Sequence, residues 1–163
     1  MDSLLSEIKS KIYDKLGWSL TNFRSEQESR DYAACRFDLQ GYPIIGRSAK
    51  ITPKKVGQFV TLWKRIGSGP IEPLTASEDF HFCIVAVESD GRLGQFVFPK
   101  SALVAKGVLQ SEGKLGKRAF RVYPSWDRPE SKQARRSQKW QLDYFYEVQE
   151  LSDFDRIKRL FQP

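Results

Sequence analysis

Phe80-His81-Phe82-Cys83-Ile84-Val85-Ala86-Val87 is apolar at almost every position, and Ser89-Asp90-Gly91 then turns the chain back into Leu93-Gly94-Gln95-Phe96-Val97-Phe98. A strand with one wet face alternates apolar and polar residues, whereas a continuous run bounded by turn residues predicts a strand buried on both faces. Residues 80 to 87 are therefore read as the centre of a sheet. Upstream, residues 32 to 39 and 42 to 51 are β-like, and Gln40-Gly41 between them is short enough for a hairpin. Downstream, Pro99 opens a short helix that stops at Gly107, and residues 117 to 124 form another strand. Leu5, Ile8, Ile12 and Leu16 recur at helical spacing after an N-cap at Asp2 or Ser3 and end at Gly17, and Phe154, Ile157 and Leu160 share one helical face between Ser152 and Phe161. Thr52-Pro53 supplies an N-cap and a first-turn proline, which predicts a helix to about Arg65 with Val56, Phe59, Val60 and Trp63 on one face. Residues 18 to 30 read as a connection. The fold class is α/β (α+β), a mixed sheet of about five strands with flanking helices, in one domain over 1–163.

Length and composition narrow the function classes. The chain has 163 residues, with 40% hydrophobic and 29% charged, which is enough apolar surface for one core and argues against disorder. No stretch approaches the roughly 20 apolar residues of a spanning helix, and Met1-Asp2-Ser3-Leu4-Leu5 lacks a basic leader, so a cytoplasmic location without membrane contact is expected. Cys35 and Cys83 are too few for a disulfide framework and sit in apolar runs, which predicts buried, reduced thiols.

The charge is strongly polarised. The formal net charge is +7, yet residues 36–65 carry +6 and residues 100–139 carry +8, leaving −7 on the rest of the chain. Such segregation points to a one-sided positive face and to a polyanionic partner.

Enzyme motifs are absent from the sequence. There is no Walker A loop, no Gly-x-Gly-x-x-Gly opening a helix, no His-Glu-x-x-His, no EF-hand loop and no Gly-x-Ser-x-Gly elbow, so no nucleotide cofactor or metal is expected and no catalytic residue is assigned. His81 is read as a strand residue in or near the core, and Gly67-Ser68-Gly69 as a turn. Metal-dependent phosphodiester cleavage needs carboxylates that converge beside a lysine. Asp38, Glu78, Asp79 or Glu88 could supply them only by meeting Lys50 or Lys100 in an unusual arrangement, and otherwise they and Asp90 are solvated loop charges.

The basic segments interleave with aromatic and amide side chains. In Lys117-Arg118-Ala119-Phe120-Arg121-Val122-Tyr123 a strand would place Lys117, Arg121 and Tyr123 on one face. Trp126 follows, then Lys132, Gln133, Arg135, Arg136, Gln138, Lys139, Trp140 and Gln141. Cations neutralise phosphates, aromatic faces stack bases and amides bond base edges, which is the mixture that single-stranded nucleic-acid sites use. Arg47, Lys50, Lys54, Lys55, Lys117, Arg121, Arg135 and Arg136 are the expected phosphate contacts, Gln58 and Gln138 the polar readers, and Tyr123, Trp126 and Trp140 the stacking rings. Six or more such contacts would make binding steeply salt-dependent.

Arg47-Ser48-Ala49-Lys50-Ile51-Thr52-Pro53-Lys54-Lys55-Val56-Gly57-Gln58-Phe59-Val60 with Trp63-Lys64-Arg65 closely resembles the signature of the MepB-like bacterial proteins. Gly94-Gln95-Phe96-Val97-Phe98-Pro99-Lys100, Lys117 to Pro124 with Trp126, and Gln133-Ala134 through Gln138, Trp140 and Gln141 agree in order. The resemblance implies a restriction-endonuclease-like PD-(D/E)xK type core and a role with nucleic acids. That superfamily's chemistry uses an Asp and a [Asp/Glu]-x-Lys on adjacent strands; Ser48-Ala49-Lys50 lacks the acid, and Gln95-Phe96-Val97 lacks both acid and lysine. The expectation is therefore a non-catalytic binder of single-stranded RNA or DNA, in preference to duplex. A Mg²⁺-dependent nuclease with rearranged carboxylates, or a regulator that binds a small molecule or protein in an aromatic pocket, is the alternative. The sequence leaves the oligomeric state open.

Overall fold

The computed structural model describes residues 1–162. Its centre is a six-stranded mixed sheet, one strand more than expected. In spatial order the strands are Leu20–Ser25 (β1), Cys35–Leu39 (β2), Tyr42–Ser48 (β3), Phe82–Ser89 (β8), Arg92–Pro99 (β9) and Phe145–Val148 (β11). All neighbours are antiparallel except β3 and β8, which run parallel. As the apolar run predicts, β8 lies inside the sheet and its two sets of alternating side chains enter different cores. Phe82, Ile84 and Ala86 pack with Ile8, Ile12, Phe37 and Ile157, while Cys83, Val85 and Val87 pack with Val60, Phe98, Leu103 and Val122.

The turns behave as their residues dictate. Gln40 and Gly41 both have positive φ, the backbone a two-residue hairpin requires, and Asp90-Gly91 repeats this between β8 and β9. Helix α1 (Ser3–Ile8) opens on the Asp2 side chain, which accepts the Leu5 amide at 3.1 Å. It continues through a π-helical turn, Lys9–Tyr13, whose wider winding brings Tyr13 inside together with Ile12. Helices α2 (Lys100–Ala105) and α4 (Phe154–Leu160) fall where the sequence places them. Helix α3 (Lys132–Gln141) carries the basic run and is capped by Ser131. Among the described residues no helix is long and apolar enough to cross a membrane.

Three expectations are corrected. Residues 18 to 30 contain β1, an edge strand that pairs with β2 around an irregularity between Thr21 and Arg24, which blurs its alternation. His81 is not a core residue: it is exposed just before β8, with its ring 5.0 Å from that of Tyr42. The largest correction is the helix expected from Thr52 to Arg65. Parallel strands need a crossover, usually helical, but here the chain between β3 and β8 crosses as hairpins. Lys50–Thr52 (β4) and Lys55–Thr61 (β5) pair across a Pro53-Lys54 turn, and Trp63–Arg65 (β6) pairs with Ile71–Pro73 (β7). Proline's fixed φ suits a tight turn as well as a helix start, and Gly57, at φ +87°, has a backbone no helix accommodates. Gln58, Val60 and Leu62 then alternate inward at period two. Ala119–Val122 (β10) adds to β5, giving a second, three-stranded sheet in the order β10-β5-β4.

Candidate nucleic-acid interface

The small sheet sends Val60, Phe120 and Val122 into the core it shares with the main sheet. Helix α3 lies against β10, and the Gln141 side chain joins the two. Its carbonyl accepts the Tyr123 amide at 2.8 Å and its Nε2 donates to the Arg121 carbonyl at 2.9 Å. Between β10 and α3 a cleft of about 290 Å³ remains open. Lys106, Lys117 and Arg121 bring three cations to it, Ser131, Gln133 and Ser137 line it from the helix, and Phe120 and Trp140 supply apolar wall. No carboxylate lines it. Lys106 Nζ stands 5.6 Å from the centre of the Trp140 ring, a cation–π contact that positions the ammonium at the cleft.

Beside the cleft, the β4–β5 hairpin exposes Lys50, Lys54 and Lys55. Arg121 connects the two regions. Its guanidinium donates to Thr52 Oγ1 at 2.5 Å and to the Val56 and Gly57 carbonyls at 3.3 Å. The register sets Arg121 opposite Phe59, and Phe59 opposite Lys50, so the three side chains stand in a row on the same face.

The expected contacts thus divide. Lys117, Arg121, Tyr123 and Trp140 meet at the cleft, and Lys50, Lys54 and Lys55 at the adjoining hairpin. Arg135 and Arg136 are exposed on α3 but do not line the cleft, whose helical wall is Gln133, Ala134, Ser137 and Trp140. Four of the expected contacts are instead turned inward or held by the fold. Arg47 is 5% exposed and donates to the Thr61 and Gly46 carbonyls, with Glu26 at 3.5 Å. Gln58 is 1% exposed and donates to the Glu88 carbonyl. Gln138 holds the Pro124 and Asp127 carbonyls. Tyr123 is 9% exposed, its ring laid against Gly57, where an added Cβ would come within 2.6 Å. The other two rings expected to stack bases, Trp126 and Trp140, pack against the core, and Trp126 Nε1 is buried without a partner. The structure adds Lys106 and Phe59 to these contacts. Nothing in a linear reading places Lys106, at the end of α2, beside β10, and the helix expected from Thr52 to Arg65 turns Phe59 toward the core.

The candidate carboxylates lie apart from the cleft. Asp38 accepts from Asn22 at 2.7 Å. Glu78 pairs with Lys64 at 3.2 Å, and its carbonyl accepts from Lys100. Asp79, Glu88 and Asp90 are exposed. Among the described residues no group of three or more His, Cys, Asp or Glu is arranged to hold a metal ion. Burial raises the Asp127 carboxyl above its ordinary value, against the opposing pull of the Gly57 amide.

A model of the MepB-like family matches residues 26–147. The chain belongs to the MepB-like family. The crystal structure of MepB is 32% identical and aligns over 91% of this chain and 98% of that one with a TM-score of 0.79. A bacterial homing endonuclease, I-Ssp6803I, aligns over 86% of each chain at 18% identity with a TM-score of 0.47, a likeness too slight to add to the assignment. No curated protein matches the sequence. The MepB-like match contains the hairpin, β10 and α3, hence every cation of the cleft and its neighbours, whereas α1, β1 and α4 lie outside it.

Proposed function

We propose that this MepB-like protein is a non-catalytic nucleic-acid-binding module on a nuclease-like scaffold, which takes single-stranded RNA or DNA along the β10–α3 cleft and the β4–β5 hairpin. The observation that carries the reading is the convergence of Lys106, Lys117 and Arg121 on one cleft without a lining carboxylate. A polyanion gains there from each cation and meets no like charge. The cleft is about 290 Å³ and Arg121 ties it to the β4–β5 hairpin, an arrangement that suits one flexible strand, whose phosphates can follow the surface. The cleft that holds Lys117 has no lining carboxylate, which supports binding in place of cleavage, since a metal-assisted attack on phosphate needs carboxylates at that point.

The test is fluorescence anisotropy with labelled single-stranded RNA, single-stranded DNA and duplex DNA, with and without Mg²⁺, and a denaturing gel of each endpoint. The reading expects tighter binding to single strands, intact oligonucleotides in Mg²⁺, and weaker binding by the Lys106→Ala, Lys117→Ala double variant. Mg²⁺-dependent fragments would replace it with the nuclease reading.

A second reading has its own observation. Trp18, Leu39, Tyr42, Ile44, Phe82 and Phe161 line an apolar groove of about 210 Å³ with Lys158 beside it, the kind of site that takes a small apolar ligand. Saturable ligand binding that leaves nucleic-acid affinity unchanged would give this groove a separate role.

A further inference from the structure

We infer that the outer face of the β10-β5-β4 sheet is a base-stacking platform for unpaired nucleotides, with Phe59 as the ring on which a base sits; this rests on the nucleic-acid reading above and assigns its stacking residue. Phe59 is only partly buried and belongs to neither apolar core, whereas Trp126 and Trp140 are packed against one. A ring on the outer face of a sheet gains little from the fold and is free to gain from a ligand. Its neighbours are unusual for an apolar residue. Arg121 lies 5.8 Å from the Phe59 ring centre on one side, and Lys50 is the cross-strand partner on the other. Tyr32 meets Phe59 at 6.0 Å with the rings inclined by 62°, and Lys50 Nζ is 5.5 Å from the Tyr32 ring. Thr61 Oγ1, bonded to Ser29 Oγ at 2.7 Å, ties the turn that carries Tyr32 to β5.

The row therefore alternates cation and aromatic, the combination that holds a single strand: phosphates meet the cations while a base lies on a ring face. Arg121 is already fixed by Thr52, Val56 and Gly57, so binding costs little ordering there. Lys54 and Lys55, exposed at the hairpin tip, continue the positive track. A duplex has its bases stacked internally and offers none to Phe59, so the platform selects unpaired strands.

The experiment compares wild type, Phe59→Leu and Phe59→Tyr on a short single strand, as RNA and as DNA, and on an abasic strand of the same length. Phe59→Leu is expected to weaken binding to the base-bearing strand roughly tenfold and to leave the abasic strand unaffected. Phe59→Tyr, which keeps a ring, should retain wild-type affinity, and all three proteins should melt together. Equal affinity of wild type and Phe59→Leu for the base-bearing strand overturns the platform, as does equal affinity of wild type for the two strands; in both cases the nucleic-acid reading survives. Failure of wild type to bind any strand at low salt overturns both.

Discussion

Arg121 on β10 stands directly opposite Phe59 on β5, with its guanidinium carbon 5.8 Å from the ring centre, while the same group bonds the hairpin tip at Thr52, Val56 and Gly57. One side chain therefore borders the cleft, braces the hairpin and flanks the outer sheet face. Arginine suits this position because its planar fork can hold several acceptors and still present a charged face. The relationship turns two basic stretches, separate in sequence, into one surface.

If that surface is continuous, Lys54 and Lys55 contribute to it by charge alone. The double change Lys54→Ala, Lys55→Ala should weaken binding to all sequences similarly and flatten the dependence of log K on log salt by about one to two units. Anisotropy titrations at several salt concentrations measure both. Unchanged affinity would take the hairpin tip out of the interface.

Arg47 should behave in the opposite manner. Its guanidinium is buried on the Thr61 and Gly46 carbonyls beside Glu26, so Arg47→Ala strands these groups and should cost about 2–4 kcal/mol of stability. Under conditions where the variant is folded, the salt slope of binding should equal that of wild type. A flatter slope would mean that Arg47 reaches phosphate.

Gly57 is a packing position as much as a turn. At φ +87° alanine is strained, and its Cβ would strike the Tyr123 ring. Gly57→Ala should lose about 2 kcal/mol, seen as a fall in melting temperature of roughly 4–8 °C. A neutral effect would show that the hairpin and Tyr123 move apart freely.

Alkaline pH should unfold the protein through its buried acids. Burial, partly opposed by Arg47, pushes the Cys35 thiol up to about 12 and the Cys83 thiol up to about 11. Burial likewise raises Tyr13, whose hydroxyl donates to Gln95 at 3.0 Å, and Tyr146, which donates to the same oxygen at 2.6 Å. In the unfolded chain thiols titrate at about 8.5 and tyrosines at about 10, so the unfolded state releases these protons first. Their contribution to stability is complete below about pH 8.5 and declines as pH rises toward the folded values, with a slope of up to about 1.4 kcal/mol per pH unit for each group. Melting temperature against pH should be level near neutrality and fall above about pH 9, and Cys83→Ala should make the fall shallower.

The sheet was readable wherever burial on both faces or a marked turn left a local signature. Phe80 to Val87 named the central strand because Phe82 to Val87 hold no residue that needs water, and Gln40-Gly41 named a hairpin. The Thr52–Arg65 helix was misread because Thr-Pro begins helices and turns alike, and a short apolar run fits period 3.6 or period 2 equally well. Gly57 rules a helix out through its positive φ, which is a property of the fold. The same error hid Phe59: on a helix it shares a face with Val60, whereas on β5 the two point to opposite sides. Charge segregation did identify the basic segments. Which cations point outward was not legible, because Arg47 and Lys50 are three residues apart in one basic stretch yet fall on different sheets and at different depths.

The most direct test of the account is the salt dependence of wild-type binding to a short single strand. Lys50, Lys54, Lys55, Lys106, Lys117 and Arg121 form the surface, and if each neutralises one phosphate the plot of log K against log salt should have a slope of about −4. A flat plot, or no binding at low salt, would contradict it, because the six cations would then be solvated charge and not a site.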